Sequence, residues 1–268
     1  MGKIRQKILN ENNLKDEFSY FSTQHTAGLK STEELISKCH IKNGSFVLDV
    51  GCGIGTTACL LAKKYNCKVV GVDINKKMIE FSKKRAKKTG VTDKVKFIVA
   101  DAQNLPFKND FFDVVIAESV NAFVNDKQKA INEYARVTKP GGYVGLNEAT
   151  WIKTPPPQEI IEFFSQLHVK LSKAGLKAYN NWLNEYDMDG WVTLLKNAGL
   201  KNIYAKAHKS TPQKISYFIK NVGFTNIIRV CILYLISSKF RSWMDDSRMP
   251  KEVFEYYGYG IYIGRKLV

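Results

Sequence analysis

Asp49, Asp73, Asp101, Glu118 and Glu148 each stand at or beside the end of a short apolar run. A glycine-rich turn, Gly51-Cys52-Gly53-Ile54-Gly55, follows the first of them. Glycines lack a β-carbon, so backbone there can approach a ligand closely and adopt positive φ. The turn is not a phosphate loop of the GxxxxGK[ST] kind, because both that spacing and its lysine are missing. It also departs from the dinucleotide fingerprint GxGxxG, since its third glycine comes one position early. Asp49, just before the turn, would repel a pyrophosphate and attract an ammonium. A carboxylate that accepts from a cationic amino group makes one of the stronger kinds of hydrogen bond. The ligand expected at this turn therefore presents no phosphate to it.

Side chains able to take a proton from a substrate are His25, Glu148 and His168, none of them in a decisive motif. His25 would titrate near neutral pH. His168 lies between Leu167 and Val169 in a predicted helix, where a core or surface role is the simpler reading. Cys39, Cys52, Cys59, Cys67 and Cys231 are odd in number and form no CxxC pair. That argues against a disulfide framework or zinc site and for a reducing cytosol. Metal ligands do not cluster, so no metal is expected.

The elements that must position these residues follow from hydrophobic period. Residues 1–43 read as helical, with Ile4, Ile8 and Leu9, then Leu35 and Ile36, at helical spacing, and Asn43-Gly44 closes the region as a turn. Strands are expected over 45–50, 68–73, 95–100, 112–118 and 143–147. Helices are expected over 56–65, 76–88 and 126–137. Asn75 caps the second of these, which places Met78, Ile79, Ser82 and Ala86 on one face. Pro140-Gly141-Gly142 reads as a turn into the fifth strand. Strands alternating with helices, several apolar throughout, indicate an α/β fold whose parallel sheet is covered on both faces. Right-handed crossovers then bring the strand C-terminal ends to one edge, where a ligand should sit. After Glu148 the rhythm breaks. A helix at 190–198 stops at Gly199, and strands follow near 203–207 and at 260–265. We read one domain, with 44–150 as core, 1–43 as an N-terminal helical lid, and 151–187 and 209–256 as helical insertions that cap the substrate.

VLDVGCGIG, GVDIN, VADAQNLPF, FDVVIAESV and PGGYVGLNE occur in that order and at fitting spacing. Together they resemble the class I S-adenosylmethionine-dependent methyltransferases, of the small-molecule type that includes ubiquinone- and menaquinone-methylating enzymes. The resemblance covers residues 20–148 well and the remainder loosely. It implies a Rossmann-like fold with a mostly parallel seven-stranded sheet, and S-adenosyl-L-methionine as cofactor. On the same resemblance Gly51 and Gly53 lie under the methionine part of the cofactor, with Asp49 beside them. Asp73, 22 positions beyond Gly51, accepts from both ribose hydroxyls, and Ile74 adjoins it. Asp101 accepts from the adenine amino group while Ala102 offers its amide, and Glu118 lies where cofactor and substrate meet. The piece YFSTQHTAGLKST resembles a histidine-glycine element of related enzymes, which would put Tyr20 and His25 in the cavity. Plainer readings stand beside these: Asp73 as a helix cap, Asp101 as a turn aspartate, Glu118 as a solvated strand end, His25 on the surface.

The acceptor expected is a small molecule. Trp151, Phe163, Phe164, Tyr179, Trp182 and Tyr186 make 151–187 aromatic, which suits an apolar or ring-bearing acceptor, or a lid packed on the sheet. After the fourth strand the chain reads AESVNAF, without the NPPY-type tetrad of amino-methylating DNA and protein-glutamine enzymes. Residues 215–243 are strongly apolar, but Arg229 leaves the uninterrupted part short of the ~20 residues of a membrane span. With Lys214, Lys220, Lys239 and Arg241 around it, this stretch suits a helix lying on an anionic bilayer or a lipid-like substrate, or else a buried lid helix. The net charge is +16, and residues 201–268 hold 12 basic against 4 acidic side chains. That charge raises RNA methylation as an alternative, but no RNA-binding module is visible and a nucleic-acid partner is not expected. A further alternative is a non-catalytic subunit or sensor that keeps the cofactor pocket. The polar start lacks the apolar stretch of a signal peptide, so a cytoplasmic protein, or one peripheral to a membrane, is expected. Oligomeric state is not legible.

Overall fold

Runs of valine, isoleucine and leucine build the strands at the centre of a computed structural model, which describes residues 28–173, 186–210, 235, 238 and 250–267. The chain divides into two compact units, His25–Lys209 with Glu255–Val268 and Met1–Gln24 with Ser210–Phe254. Every element named below belongs to the first. The helices expected in 1–27 and across most of 212–249 lie outside the described residues.

In chain order the elements are α1 (Gly28–Lys38), β1 (Phe46–Val50), α2 (Thr56–Lys64), β2 (Lys68–Asp73), α3 (Lys76–Thr89), β3 (Val95–Val99), β4 (Phe112–Glu118), α4 (Lys127–Val137), β5 (Thr138–Trp151), α5 (Gln158–Lys173), α6 (Met188–Asn197), β6 (Lys201–Lys209) and β7 (Tyr257–Arg265). A single 3₁₀ turn, Asn121–Phe123, follows β4. The strands form one seven-stranded sheet in the order β3-β2-β1-β4-β5-β7-β6. Neighbours from β3 to β5 pair in parallel, while β7 runs antiparallel to both β5 and β6. The sheet is thus mixed, with one reversed strand in an otherwise parallel set.

Each face of the sheet carries its own core. Leu35 and Ile36 of α1, Leu61 of α2 and Ile79 of α3 pack against Val47, Ile116 and Ile263. On the opposite face Tyr134 of α4 and Trp191 and Leu195 of α6 pack against Leu48, Val115, Leu146 and Tyr262. The face of α3 buries Met78, Ile79, Ser82 and Ala86, as its period predicts. Asn75 caps the helix, its side chain accepting from the Lys77 amide, and Asp126 caps α4 by accepting from the Lys129 amide.

Two segments differ from the sequence expectation. β5 is 14 residues long and runs on to Trp151, because β7 pairs with it from Tyr143↔Arg265 through Trp151↔Tyr257. The Pro140-Gly141-Gly142 turn falls within that strand, where pairing with β4 skips from Phe112↔Thr138 to Val114↔Tyr143 and Gly141 takes φ 81°. Meanwhile α1 is a core helix of the sheet, tied to β6 by the Tyr204 hydroxyl donating to Glu34 at 3.1 Å.

Close packing between β2 and β3 sets a sharp local limit. A β-carbon on Gly71 would stand 2.6 and 2.7 Å from two ring carbons of Phe97. Gly71→Ala should therefore destabilise the protein by ~1–3 kcal/mol through overpacking, read as a lower urea midpoint with an unchanged slope; an unchanged midpoint would refute it.

Candidate functional site

The glycine turn is held by backbone. Gly51, Gly53 and Gly55 take φ of 64°, 51° and 76°, a left-handed series that a side chain would strain. The Cys52 amide continues the β1–β2 ladder to the Val72 carbonyl at 2.9 Å, and the Gly55 amide closes the turn on the Cys52 carbonyl at 2.8 Å. Asp73 at the end of β2 fixes the next step. Its Oδ2 accepts from the Gly53 amide at 3.0 Å and its Oδ1 from the Asn75 amide at 2.8 Å. Burial pushes the Asp73 carboxyl above its usual range, against the downward pull of those two amides. Each oxygen has capacity for a further donor. Next to it Ile74 presents 71% of its surface to solvent, an apolar side chain at the mouth of a polar edge.

Asp49 is the fourth residue of β1. It is 3% exposed, and its Oδ2 has no hydrogen-bond partner. Burial drives its carboxyl well above the usual range, and Glu118 and Asp73 push it the same way, while a backbone hydrogen bond from Ala58 opposes them. Those couplings place Glu118 and Asp73 each within electrostatic reach of Asp49 at the strand ends. Glu118 is engaged by three donors: the Thr57 hydroxyl of α2 at 2.8 Å, the Thr32 hydroxyl of α1 at 3.0 Å and the Asn147 amide at 3.2 Å. The same Asn147 amide donates to the Ser31 hydroxyl at 3.0 Å. Glu118 thus ties α1, α2, β4 and β5 together at their common end. Asp101 is partly closed on itself, its Oδ1 accepting from the Gln103 amide at 2.9 Å, while Ala102 is half-buried beside it.

Glu148 faces the other side of the sheet, toward α4. It is fully buried, and its Oε1 accepts from the Val120 amide at 3.1 Å, the Asn121 amide at 3.0 Å and the Asn121 side chain at 2.8 Å. Its Oε2 has no partner. Behind it the Tyr134 hydroxyl donates to Asn121 Oδ1 at 3.0 Å. Burial raises the Glu148 carboxyl to about 7, moderated by the Asn121 and Val120 donors and by the Lys127 ammonium. Lys127 in turn is lowered by its own burial.

Of the residues singled out in the sequence, the structure brings Asp49, Gly51, Gly53, Asp73 and Glu118 to one edge, with Ile74, Asp101 and Ala102 at the ends of the neighbouring strands. Glu148 sits at that edge on the opposite face. Tyr20 and His25, like Tyr179, Trp182, Cys231 and nearly all of 215–243, lie outside the described residues, as does the His168 side chain. Trp151 and Phe164 are buried against each other edge-on at 5.5 Å, with Tyr257 5.3 Å from Trp151, so these aromatics pack as a cluster. Tyr186 rests on Trp191 at 5.2 Å. Among the described residues no group of ligands suits a metal ion, and no helix is long and apolar enough to cross a membrane. Sequence reasoning missed Thr32, Thr57, Val120, Asn121, Tyr134 and Asn147. The adjacent polar pair Asn147-Glu148 inside an apolar strand was the available signal, since such residues are rarely buried without a partner.

Comparison with known proteins agrees with this geometry. The profile of a methyltransferase domain family matches residues 48–146. An uncharacterised protein of Haemophilus influenzae is 32% identical over 207 residues, covering 75% of this chain and 78% of its own length. Phosphoethanolamine N-methyltransferase 1 of Arabidopsis thaliana is 30% identical over 181 residues, 68% of this chain and 34% of that one, so the chain spans about a third of that plant relative. A solved phosphoethanolamine N-methyltransferase 2 of Haemonchus contortus, in complex with S-adenosyl-L-methionine, superposes with a TM-score of 0.70 at 17% identity, over 94% of this chain and 57% of that one. The [4+2]-cyclase SpnF shares the fold at a TM-score of 0.67 and 20% identity, over 89% of this chain and 80% of that one.

The buried Glu148 carboxyl has a measurable consequence. Unfolded, it ionises near 4.5; folded, near 7, so between those values the native state binds the extra proton. Its contribution to stability therefore falls as pH rises through that window and levels off above it. Relative to Glu148→Gln, the wild-type protein should lose roughly 2–3 kcal/mol between pH 5 and pH 8. Urea titrations of both proteins at the two pH values measure the difference, and parallel pH dependences would contradict it.

Proposed function

Because the chain belongs to the class I S-adenosylmethionine-dependent methyltransferase family, we propose that it binds S-adenosyl-L-methionine along the C-terminal ends of β1, β2 and β3 and methylates a small-molecule acceptor. When bound, the cofactor supplies an activated methyl group on a sulfonium. The residues present suit it. Asp73 holds the glycine turn through Oδ2 and the exit from β2 through Oδ1, and each oxygen keeps acceptor capacity for one of two vicinal hydroxyls. Ile74 offers an exposed apolar surface for a purine face. Asp101 has an acceptor for an exocyclic amino group, next to the Ala102 amide. Asp49, with an unpartnered oxygen, suits an ammonium, whose charge would offset the repulsion it meets from Glu118 and Asp73.

The observation that carries the reading is the Asp73 bridge between the Gly53 and Asn75 amides, which fixes an acidic strand end and a left-handed glycine floor in one unit. Given such a floor, alignment of acceptor and methyl is the main task left to the protein, worth ~7–11 kcal/mol of barrier in well-oriented reactions. The curated relatives include a phosphoethanolamine N-methyltransferase, the Streptomyces halstedii methyltransferase GfsG and a 27-O-demethylrifamycin SV methyltransferase of Amycolatopsis mediterranei. Their names support a small-molecule acceptor and lend nothing to RNA. They span amine and hydroxyl chemistry, so we leave the accepting atom open. Fold alone does not determine the reaction, as the cyclase of the same fold illustrates. We further propose that the aromatic segment 151–187 covers the acceptor.

Calorimetry with S-adenosylmethionine and S-adenosylhomocysteine tests the cofactor assignment. Saturable binding to the full chain is expected, and Asp73→Ala should weaken it by about tenfold or more through loss of charge-assisted acceptors. Folded wild-type protein that binds neither compound would overturn the proposal. A methyl-labelled cofactor presented with amine, phenol and macrolide-type hydroxyl acceptors then assigns the substrate class.

A further inference from the structure

The geometry points to Glu148 as a positioning residue: its Oε1 holds the backbone amides of Val120 and Asn121, and so seats the loop after β4 on the glycine floor of the cofactor site. This rests on the cofactor reading above for its functional consequence, but its geometry stands alone.

Three observations converge. First, the loop leaves β4 through Ser119, a non-glycine residue at φ 56°, with its amide on the Asn147 carbonyl at 2.7 Å. A left-handed conformation there persists only where the surroundings fix it. Second, the next two amides both point at one carboxyl oxygen, at 3.1 and 3.0 Å, and the Asn121 side chain adds a third donor at 2.8 Å. Asn121 is itself oriented by the Tyr134 hydroxyl from α4. Third, the loop so held puts the Val120 side chain where a β-carbon on Gly51 would collide with it. The absence of a side chain at Gly51 therefore serves the loop as much as any ligand.

Proton transfer is the competing role for Glu148. Its Oε1 is saturated by the three donors, and its Oε2 is buried and unpartnered. What the loop needs from the residue is an acceptor at Oε1, which a neutral carboxyl or a carboxamide supplies as well as a carboxylate does. This separates the role from one of volume, which an apolar side chain of the same length would fill.

The test compares Glu148→Gln with Glu148→Met in the full chain. Two readouts are used: amide hydrogen exchange at Val120 and Asn121, and S-adenosylhomocysteine affinity. Removing the acceptor should speed exchange at those two amides by about tenfold or more beyond any change at Leu48 and Val115 in the sheet, and weaken the ligand by a similar factor. The glutamine variant should stay within about threefold of wild type in both, because its carbonyl replaces Oε1. Val120→Ala, which leaves Glu148 and its donors in place, should weaken the ligand without altering exchange; it also serves if the methionine variant does not fold. Wild-type exchange at Val120 and Asn121 in the methionine variant would overturn the clamp, as would glutamine losing as much protection as methionine. Full ligand affinity in Val120→Ala would overturn the seating on Gly51. Exchange is measured without ligand, so a wild-type protein that fails to bind S-adenosylhomocysteine refutes the cofactor reading and leaves the clamp to be judged on exchange alone.

Discussion

The Asp73 carboxylate joins two places where the chain leaves regular structure. One is the turn after β1, where glycines take left-handed φ; the other is the exit from β2 into α3. By accepting an amide from each, it sets the two loops at a fixed spacing and keeps its own oxygens at the strand ends. The side chain pays a desolvation penalty for this, seen in the upward shift of its carboxyl. That penalty is tolerable because backbone amides cost no side-chain entropy to present. Remove the bridge and the floor loses its reference to β2, whatever the rest of the sheet does.

Around this bridge the edge is crowded with acids, and the protein manages them unequally. Glu118 is covered by two hydroxyls and an amide from three other elements, so both its oxygens are partnered while it draws α1 onto the sheet. Asp49 receives far less and keeps an unpartnered buried oxygen. A polypeptide with only folding to satisfy has little reason to leave such an atom, since an orphaned buried acceptor costs stability. A donor arriving from outside would resolve it, and a cationic one would do so best. The unequal treatment of two acids a few residues apart in the sheet is therefore itself a statement about function.

How much of this was legible beforehand depends on sequence distance. β2 and β4 fall on the residues expected, and so does the buried face of α3, because period and capping are local. The acids and glycines of the edge were legible for the same reason: each sits at a strand end. β5 was read four residues short at its C-terminal end because the strand that extends it there, β7, returns from more than a hundred residues away. Likewise Val120 over Gly51, Thr32 on Glu118 and the three donors on Glu148 are contacts between distant segments, and no local pattern encodes them. Glu148 was read as a candidate base from its residue type and place; the donors around its Oε1 were invisible until the loop was seen.

The two loops at the edge differ in a way that bears on specificity. The glycine turn is fixed from below by β1 and β2, through the Cys52 and Gly53 amides, and so belongs to the part of the site that resemblance transfers between relatives. The loop after β4 is fixed from the far face, by Glu148, Asn121 and Tyr134, and meets the turn through Val120. A contact of one aliphatic side chain is easily altered without disturbing either support. On the proposed reading, the surface beside the glycine floor can be altered at the loop after β4 while the Asp73 bridge that sets the floor is left in place.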